Sequence, residues 1–210
     1  MKFTPVKTPK FVEHVLPNLV WNVHDDDQAL FLTFDDGPTP EITDWTLDVL
    51  HTYNAKATFF CIGKNVEQHP QLYQRILDEG HAVGNHTQNH VKGWKTKTPD
   101  YMAEVEKAAT LINSKLFRPP YGQIKPKQAK VLSNQGYNII MWNILSFDWN
   151  KSVTPKECLD NVLLHADSGD IIVFHDSIKA SKNMMFALPK VLEHFKKEGF
   201  KFKRIPESTQ

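Results

Sequence analysis

The chain has little of what would mark it as a disulfide scaffold, a membrane protein or a nucleic-acid binder. Its 210 residues include two cysteines, Cys61 and Cys158, too few for a disulfide framework, and neither sits in a CxxC pair. Neither sign of charge dominates, since 25 Lys+Arg stand against 24 Asp+Glu for a formal net charge of +1. Without surplus cations to meet phosphates, no nucleic-acid partner is expected. No apolar run approaches the roughly 20 residues of a spanning helix, so membrane insertion is not expected either. Met1-Lys2-Phe3-Thr4-Pro5 offers Lys and Pro where a signal peptide needs an apolar stretch, so the chain as given reads as cytoplasmic. A chain trimmed of its leader would read the same and belong outside the cytoplasm. Disorder is excluded by 13 Phe, five Trp and five Tyr.

What is present is an alternation of short apolar strands and amphipathic helices. The strand candidates are 29–34, 57–62, 81–85, 116–118, 137–143, 170–174 and 200–205. Thr39-Pro40-Glu41 predicts a helix start, followed by Ile42, Trp45, Val49 and Tyr53 on one face. Thr98-Pro99-Asp100 and Thr154-Pro155-Lys156 predict two more starts, and Gly80, Gly136 and Gly199 predict left-handed helix ends. Seven strands separated by helices predict a parallel sheet, closed or nearly closed, with helices outside. Residues 1–28 read as an N-terminal extension packed on this body through Phe11, Val15, Leu16 and Trp21, and residues 29–205 as one domain. The tail 206–210 is expected to be loose. Cys61, inside Ala57-Thr58-Phe59-Phe60-Cys61-Ile62, reads as a small core residue.

Five segments carry candidate chemistry. Leu30-Phe31-Leu32-Thr33-Phe34 runs straight into Asp35-Asp36-Gly37-Pro38, two adjacent carboxylates that a divalent cation would neutralise. His86 and His90, four residues apart, can aim both rings at one point. One carboxylate and two imidazoles make three ligands with a position left open, the pattern of a catalytic metal site. Arg118-Pro119-Pro120-Tyr121 puts a cation before a rigid turn that can hold a backbone N–H towards a substrate. Asp148-Trp149 follows a fifth strand, and Asp170–Phe174 ends in His175, the side chain most readily tuned to release a proton near neutrality. Taken alone, each segment has a plain alternative: a solvated turn, a chance histidine spacing, a surface turn, or core aromatics. Together they fall at the C-terminal ends of different strands, and in parallel α/β architectures those ends share the rim where active sites are built.

The ordered set resembles the NodB-homology polysaccharide deacetylases, carbohydrate esterase family 4, from about residue 29 to about residue 205. Thr33-Phe34-Asp35-Asp36-Gly37-Pro38, His86-Thr87-Gln88-Asn89-His90, Arg118-Pro119-Pro120-Tyr121, Asp148-Trp149 and Ile171-Ile172-Val173-Phe174-His175 resemble its five motifs in order. The resemblance implies a distorted (β/α)7 barrel and a metal held by Asp36, His86 and His90. Zinc is the typical ion, with cobalt or nickel possible. It further implies Asp35 as general base paired with Arg118, and His175 as general acid oriented by Asp148. The Tyr121 N–H would complete the oxyanion hole, and Trp149 would shape the acetyl pocket. The implied activity is removal of N-acetyl groups from N-acetylglucosamine-containing glycans of chitooligosaccharide, peptidoglycan or poly-N-acetylglucosamine type. An O-deacetylase of the acetyl xylan esterase type and a catalytically silent carbohydrate-binding module are the alternatives. Many members carry a further acidic residue just before the Asp-Trp pair, where this chain has Leu145-Ser146-Phe147. The implied partner is an acetylated glycan, and no oligomeric state follows from the sequence.

Overall fold

Along Ala29–Asp35 (β1) every residue is buried, which is why the segment reads as a continuous apolar run rather than an alternation. Its two faces nevertheless enter different clusters. Leu30, Leu32 and Phe34 pack outward with helix residues such as Leu47, Leu188 and Val191, whereas Ala29 and Phe31 pack inward with Phe60, Leu116 and Ile171. Each fully buried Leu or Phe contributes roughly 1.5–3 kcal/mol, so a strand with both faces covered anchors the middle of the sheet.

The structure is a computed structural model that describes residues 5–207. After Lys10–Val15 (α1) and β1 come Ile42–Thr52 (α2), Thr58–Cys61 (β2), Gly63–Gln68 (α3), Pro70–Asp78 (α4) and Ala82–Asn85 (β3). Thr98–Ala109 (α5), Leu116–Phe117 (β4), Pro126–Asn134 (α6), Asn138–Ile139 (β5) and Ile144–Leu145 (β6) follow. Pro155–Leu163 (α7), Ile171–His175 (β7), Ser181–Lys197 (α8) and Lys201–Phe202 (β8) complete the order. The strands pair in parallel as β5-β4-β3-β2-β1-β7-β6, and β8 pairs with the start of β1. This is the expected single-domain α/β fold, a curled seven-strand half-barrel with helices outside. No helix among the described residues is long and apolar enough to cross a membrane.

The seven strands of that path are not the seven expected ones. Residues 137–143 do not form one strand: β5 stops at Ile139, and β6 begins at Ile144, just past the end of the expected strand. The barrel opens between these two. The N-terminal segment lies along the opening, with Lys7 bridged to Ile144, Val20 to Ile140 and Asn22 to Asp170. Val6 C=O accepts from Leu145 N–H at 2.9 Å, and Val20 exchanges bonds with Ile139 and Met141. Backbone pairing therefore carries this contact. Of the four expected anchors Trp21 is buried, but Phe11, Val15 and Leu16 are exposed, at 68%, 70% and 44%. Residues 1–4, most of the start that reads as lacking a signal peptide, and residues 208–210, the end of the expected loose tail, lie outside the described residues. Within that tail, Glu207 C=O accepts from Asn138 Nδ2 at 2.7 Å.

Helix signals fared unevenly. Thr154 caps α7 through a reciprocal pair of bonds with Glu157, and Gly80, Gly136 and Gly199 all have φ near +80°. Thr39-Pro40 does not open α2 directly; the helix starts at Ile42, and Thr39 N–H donates to the Thr43 hydroxyl at 2.8 Å. The deepest face of α2 is Thr43, Thr46, Leu47 and Leu50, with Ile42, Trp45, Val49 and Tyr53 half-buried along its flank. Both cysteines are free and buried.

Candidate active site

Asp35 ends β1, and in the parallel ladder it stands level with His175, the last residue of β7. The sheet thus brings the first and fifth motifs side by side before any side chain is considered. Arg118 follows β4 and reaches across the barrel interior, fully buried over the Phe60 ring. Its Nη1 donates to Asp35 Oδ1 and to Thr33 Oγ1, both at 2.7 Å, while Nη2 donates to Met141 C=O and Nε to Ile140 C=O. Burial opposes ionisation of Asp35, but the adjacent Arg118 guanidinium holds the carboxyl below its usual range. Burial likewise lowers the Arg118 pKa and Asp35 opposes it, so the two are charged as a pair.

Asp36 leaves the sheet with φ 82, in the left-handed region that ends the extended strand. Asn65 Nδ2 holds its carbonyl at 2.7 Å. Its Oδ1 lies 3.2 Å from His90 Nε2 and 3.8 Å from His86 Nε2. That oxygen is buried and accepts no hydrogen bond, and one ligand atom from each residue falls within 4.8 Å of the others. His86 Nδ1 lies 2.7 Å from Arg118 C=O, which can only accept, so Nδ1 carries the proton and Nε2 presents a lone pair. Burial lowers the pKa of both histidines, that of His90 to about 4. Two neutral imidazoles and an unsatisfied carboxylate oxygen form a donor set that fits a divalent cation. Left-handed backbone at Thr87 and His90 folds the histidine loop tightly enough to bring both rings to one side, 5.0 Å apart.

On the opposite flank, His175 Nδ1 donates to Asp148 Oδ1 at 2.9 Å, and His175 N–H donates to Asp148 Oδ2 at 2.6 Å. Asp148 is buried and Asn183 holds its carbonyl. Burial opposes a charge on His175, yet Asp148 raises its pKa to about 9. Trp149 packs edge-on against the His175 ring with centroids 4.6 Å apart. Tyr121 adopts φ 60, and its turn is closed by N–H bonds from Gly122 to Pro119 and from Gln123 to Pro120, which leaves the Tyr121 N–H outside them. Its ring lies 4.5 Å from that of His90.

The structure therefore brings Asp35, Asp36, His86, His90, Arg118, Tyr121, Asp148, Trp149 and His175 together at one end of the sheet. A polysaccharide deacetylase family model matches residues 22–140. This chain belongs to that family. Two peptidoglycan-N-acetylglucosamine deacetylases of Bacillus cereus are 36% and 34% identical to it, over 85% and 90% of this chain and 67% and 92% of theirs. Among solved structures it resembles that of the Bc1960 peptidoglycan N-acetylglucosamine deacetylase in complex with a hydroxamic acid, 4-naphthalen-1-yl-N-oxidanyl-benzamide. That match has a TM-score of 0.88 and 32% identity, covering 97% of this chain and 99% of the other. The family-model match ends before Asp148 and His175, whereas the structural likeness covers 97% of the chain.

Sequence reasoning missed Asp176. This carboxylate is buried behind the turn that carries Asp36, where it accepts from Gly37 N–H at 3.0 Å and from the Thr43 hydroxyl. Burial raises its pKa to about 7. Its position next to His175 hinted at the site, but nothing in the sequence pointed to a partner 139 residues away.

Proposed function

We propose that this protein is a metal-dependent hydrolase that removes N-acetyl groups from N-acetylglucosamine-containing glycans and releases acetate. The observation that carries the proposal is the unsatisfied Asp36 oxygen facing two histidine nitrogens, flanked by an ionised carboxylate and a carboxylate-backed imidazole. Membership of the deacetylase family supports a hydrolase acting on glycan amide bonds. Peptidoglycan is the glycan in the names of the relatives above, and it is the substrate class proposed here.

Asp36, His86 and His90 would hold the ion, with zinc proposed ahead of cobalt or nickel. Bound there, a divalent cation supplies Lewis acidity towards the acetyl oxygen and makes water easier to deprotonate. Asp35 stays ionised beside Arg118 and accepts the proton of the attacking water. Arg118 is a positioning residue: its remaining N–H groups are tied to Thr33, Ile140 and Met141, so it holds Asp35 in place. The Tyr121 N–H donates to the oxygen that gains charge as the carbonyl is attacked; one such donor is typically worth about 3–4 kcal/mol. His175, charged at neutral pH through Asp148, protonates the departing amine at its Nε2. Trp149 confines that imidazole and bounds the acetyl group.

The test is bound-metal analysis together with acetate release from peptidoglycan, chitooligosaccharide and acetylated xylan, before and after chelation. Chelator-sensitive, zinc-restorable release from the amide substrates is expected. Release from xylan alone would replace the proposal with the ester reading, and metal-loaded protein inert on all three would favour the binding module.

A further inference from the structure

Between Glu106 and Asp148 the chain has no carboxylate at all, and the stretch 91–99 has none either. A protein of net charge +1 has thus put Lys92, Lys95 and Lys97 after the histidine loop, and Lys125, Lys127 and Lys130 just before and within α6, without a compensating acid in either stretch. None of the six is ion-paired among the described residues. Glu104, a carboxylate beside the histidine loop, is engaged by Asn89 through its backbone and side-chain N–H groups at 2.8 and 2.9 Å.

The two stretches are clamped into one wall. Gly93 packs so tightly that a Cβ there would lie 2.1 Å from Gln123 C=O. Gln128 Nε2 donates to Gly93 C=O at 3.0 Å, and Lys125 Nζ donates to Thr96 C=O at 2.7 Å. Trp94 Nε1 donates to Ile124 C=O at 3.2 Å while much of its indole stays exposed. This wall reaches the candidate metal site directly. Lys92 Nζ sits 4.6 Å from the centroid of the Tyr121 ring, whose own centroid is 4.5 Å from that of His90. Large exposed aromatics beside cations that have no carboxylate partner suit a sugar ring that carries a negative group, since the apolar sugar face packs on the ring and the ammonium meets the anion.

We propose that the Lys92–Trp94 wall is a binding subsite for a carboxylate of the glycan adjacent to the acetylated sugar, which favours a carboxylate-bearing strand such as peptidoglycan over neutral chitin-type strands. The inference rests on the deacetylase reading above and names the feature of this chain that would select among its substrates. Lys92 is the contact nearest the reaction, and Lys95 and Lys97 extend the attraction along the strand.

The experiment measures binding apart from turnover. In an Asp35→Asn background, calorimetric titration compares peptidoglycan strands with free carboxylates, the same strands methyl-esterified, and a chitin hexamer. Esterification and Lys92→Gln are each expected to weaken binding of the charged strand by about threefold to tenfold. Lys92→Arg restores it, chitin affinity is unchanged, and the preference vanishes near 1 M salt, where charges are screened over about 3 Å. In the active enzyme the same variant raises KM for the charged strand and leaves kcat within about twofold. Equal affinity for free and esterified strands, or equal losses on chitin and peptidoglycan in Lys92→Gln, would overturn the subsite. Absence of acetate release by the wild type would instead count against the deacetylase reading, and the titration would still decide the wall.

Discussion

Gly37 N–H donates to Asp176 Oδ1 at 3.0 Å, so the turn that carries Asp36 away from the sheet is held by a buried carboxylate from the far end of the chain. There is no room between them: a Cβ on Gly37 would lie 2.0 Å from Asp176 Oδ2, in a side chain that is itself fully buried. Gly37→Ala is expected to displace Asp36 and cost about a hundredfold in acetate release, since small misplacements at a reacting centre carry costs of that order. Metal content measured beside the rate separates a displaced ligand from global unfolding.

Asp176 also predicts a pH dependence of stability. Burial raises its pKa to about 7 from the ordinary 3.8, so the folded state prefers the protonated form. Its contribution is full below the unfolded value and is lost as pH rises through about 7. Asp176→Asn removes this titration. Urea unfolding of metal-free wild type and variant should show the difference moving in the variant's favour from about pH 4 to about pH 8.

Asp35→Asn is expected to retain the metal while losing at least about a hundredfold in turnover, because a proton acceptor is removed and the three ligands remain. Asp36→Ala, His86→Ala and His90→Ala should lose metal and activity together. Metal loss in Asp35→Asn would make Asp35 a ligand and remove it from the role of base.

His175 is held charged by Asp148, with a pKa near 9 after burial has worked against it. Activity on an amide glycan should therefore persist through neutrality and fall as pH rises through about 9. In Asp148→Asn the imidazole loses its counter-charge, and the fall should move to lower pH. An unmoved alkaline limb would remove Asp148 from the acid relay.

Arg118→Met leaves the Asp35 carboxylate buried without its cation and is expected to destabilise the fold by about 3–5 kcal/mol, read by urea unfolding. Arg118→Lys should recover only part of this, because one ammonium cannot reach Asp35, Thr33, Ile140 and Met141 together.

The strand-and-helix alternation and the gathering of the five motifs at strand ends were legible in the chain order. Apolar runs that end in polar clusters mark strand ends, and strand ends of a parallel sheet converge. The split of 137–143 was not legible, because two-residue strands leave no periodicity and the break is decided by Val20 and Lys7 pairing from the N-terminal segment. Phe11, Val15 and Leu16 looked like anchors because hydrophobicity says that a residue can be buried, not that a partner is there. The Asp176–Gly37 bond, the four-way fixing of Arg118 and the clamp that sets Lys92 over Tyr121 were decided by tertiary structure alone. Each joins residues far apart in the chain, at distances and burial that a linear order does not encode.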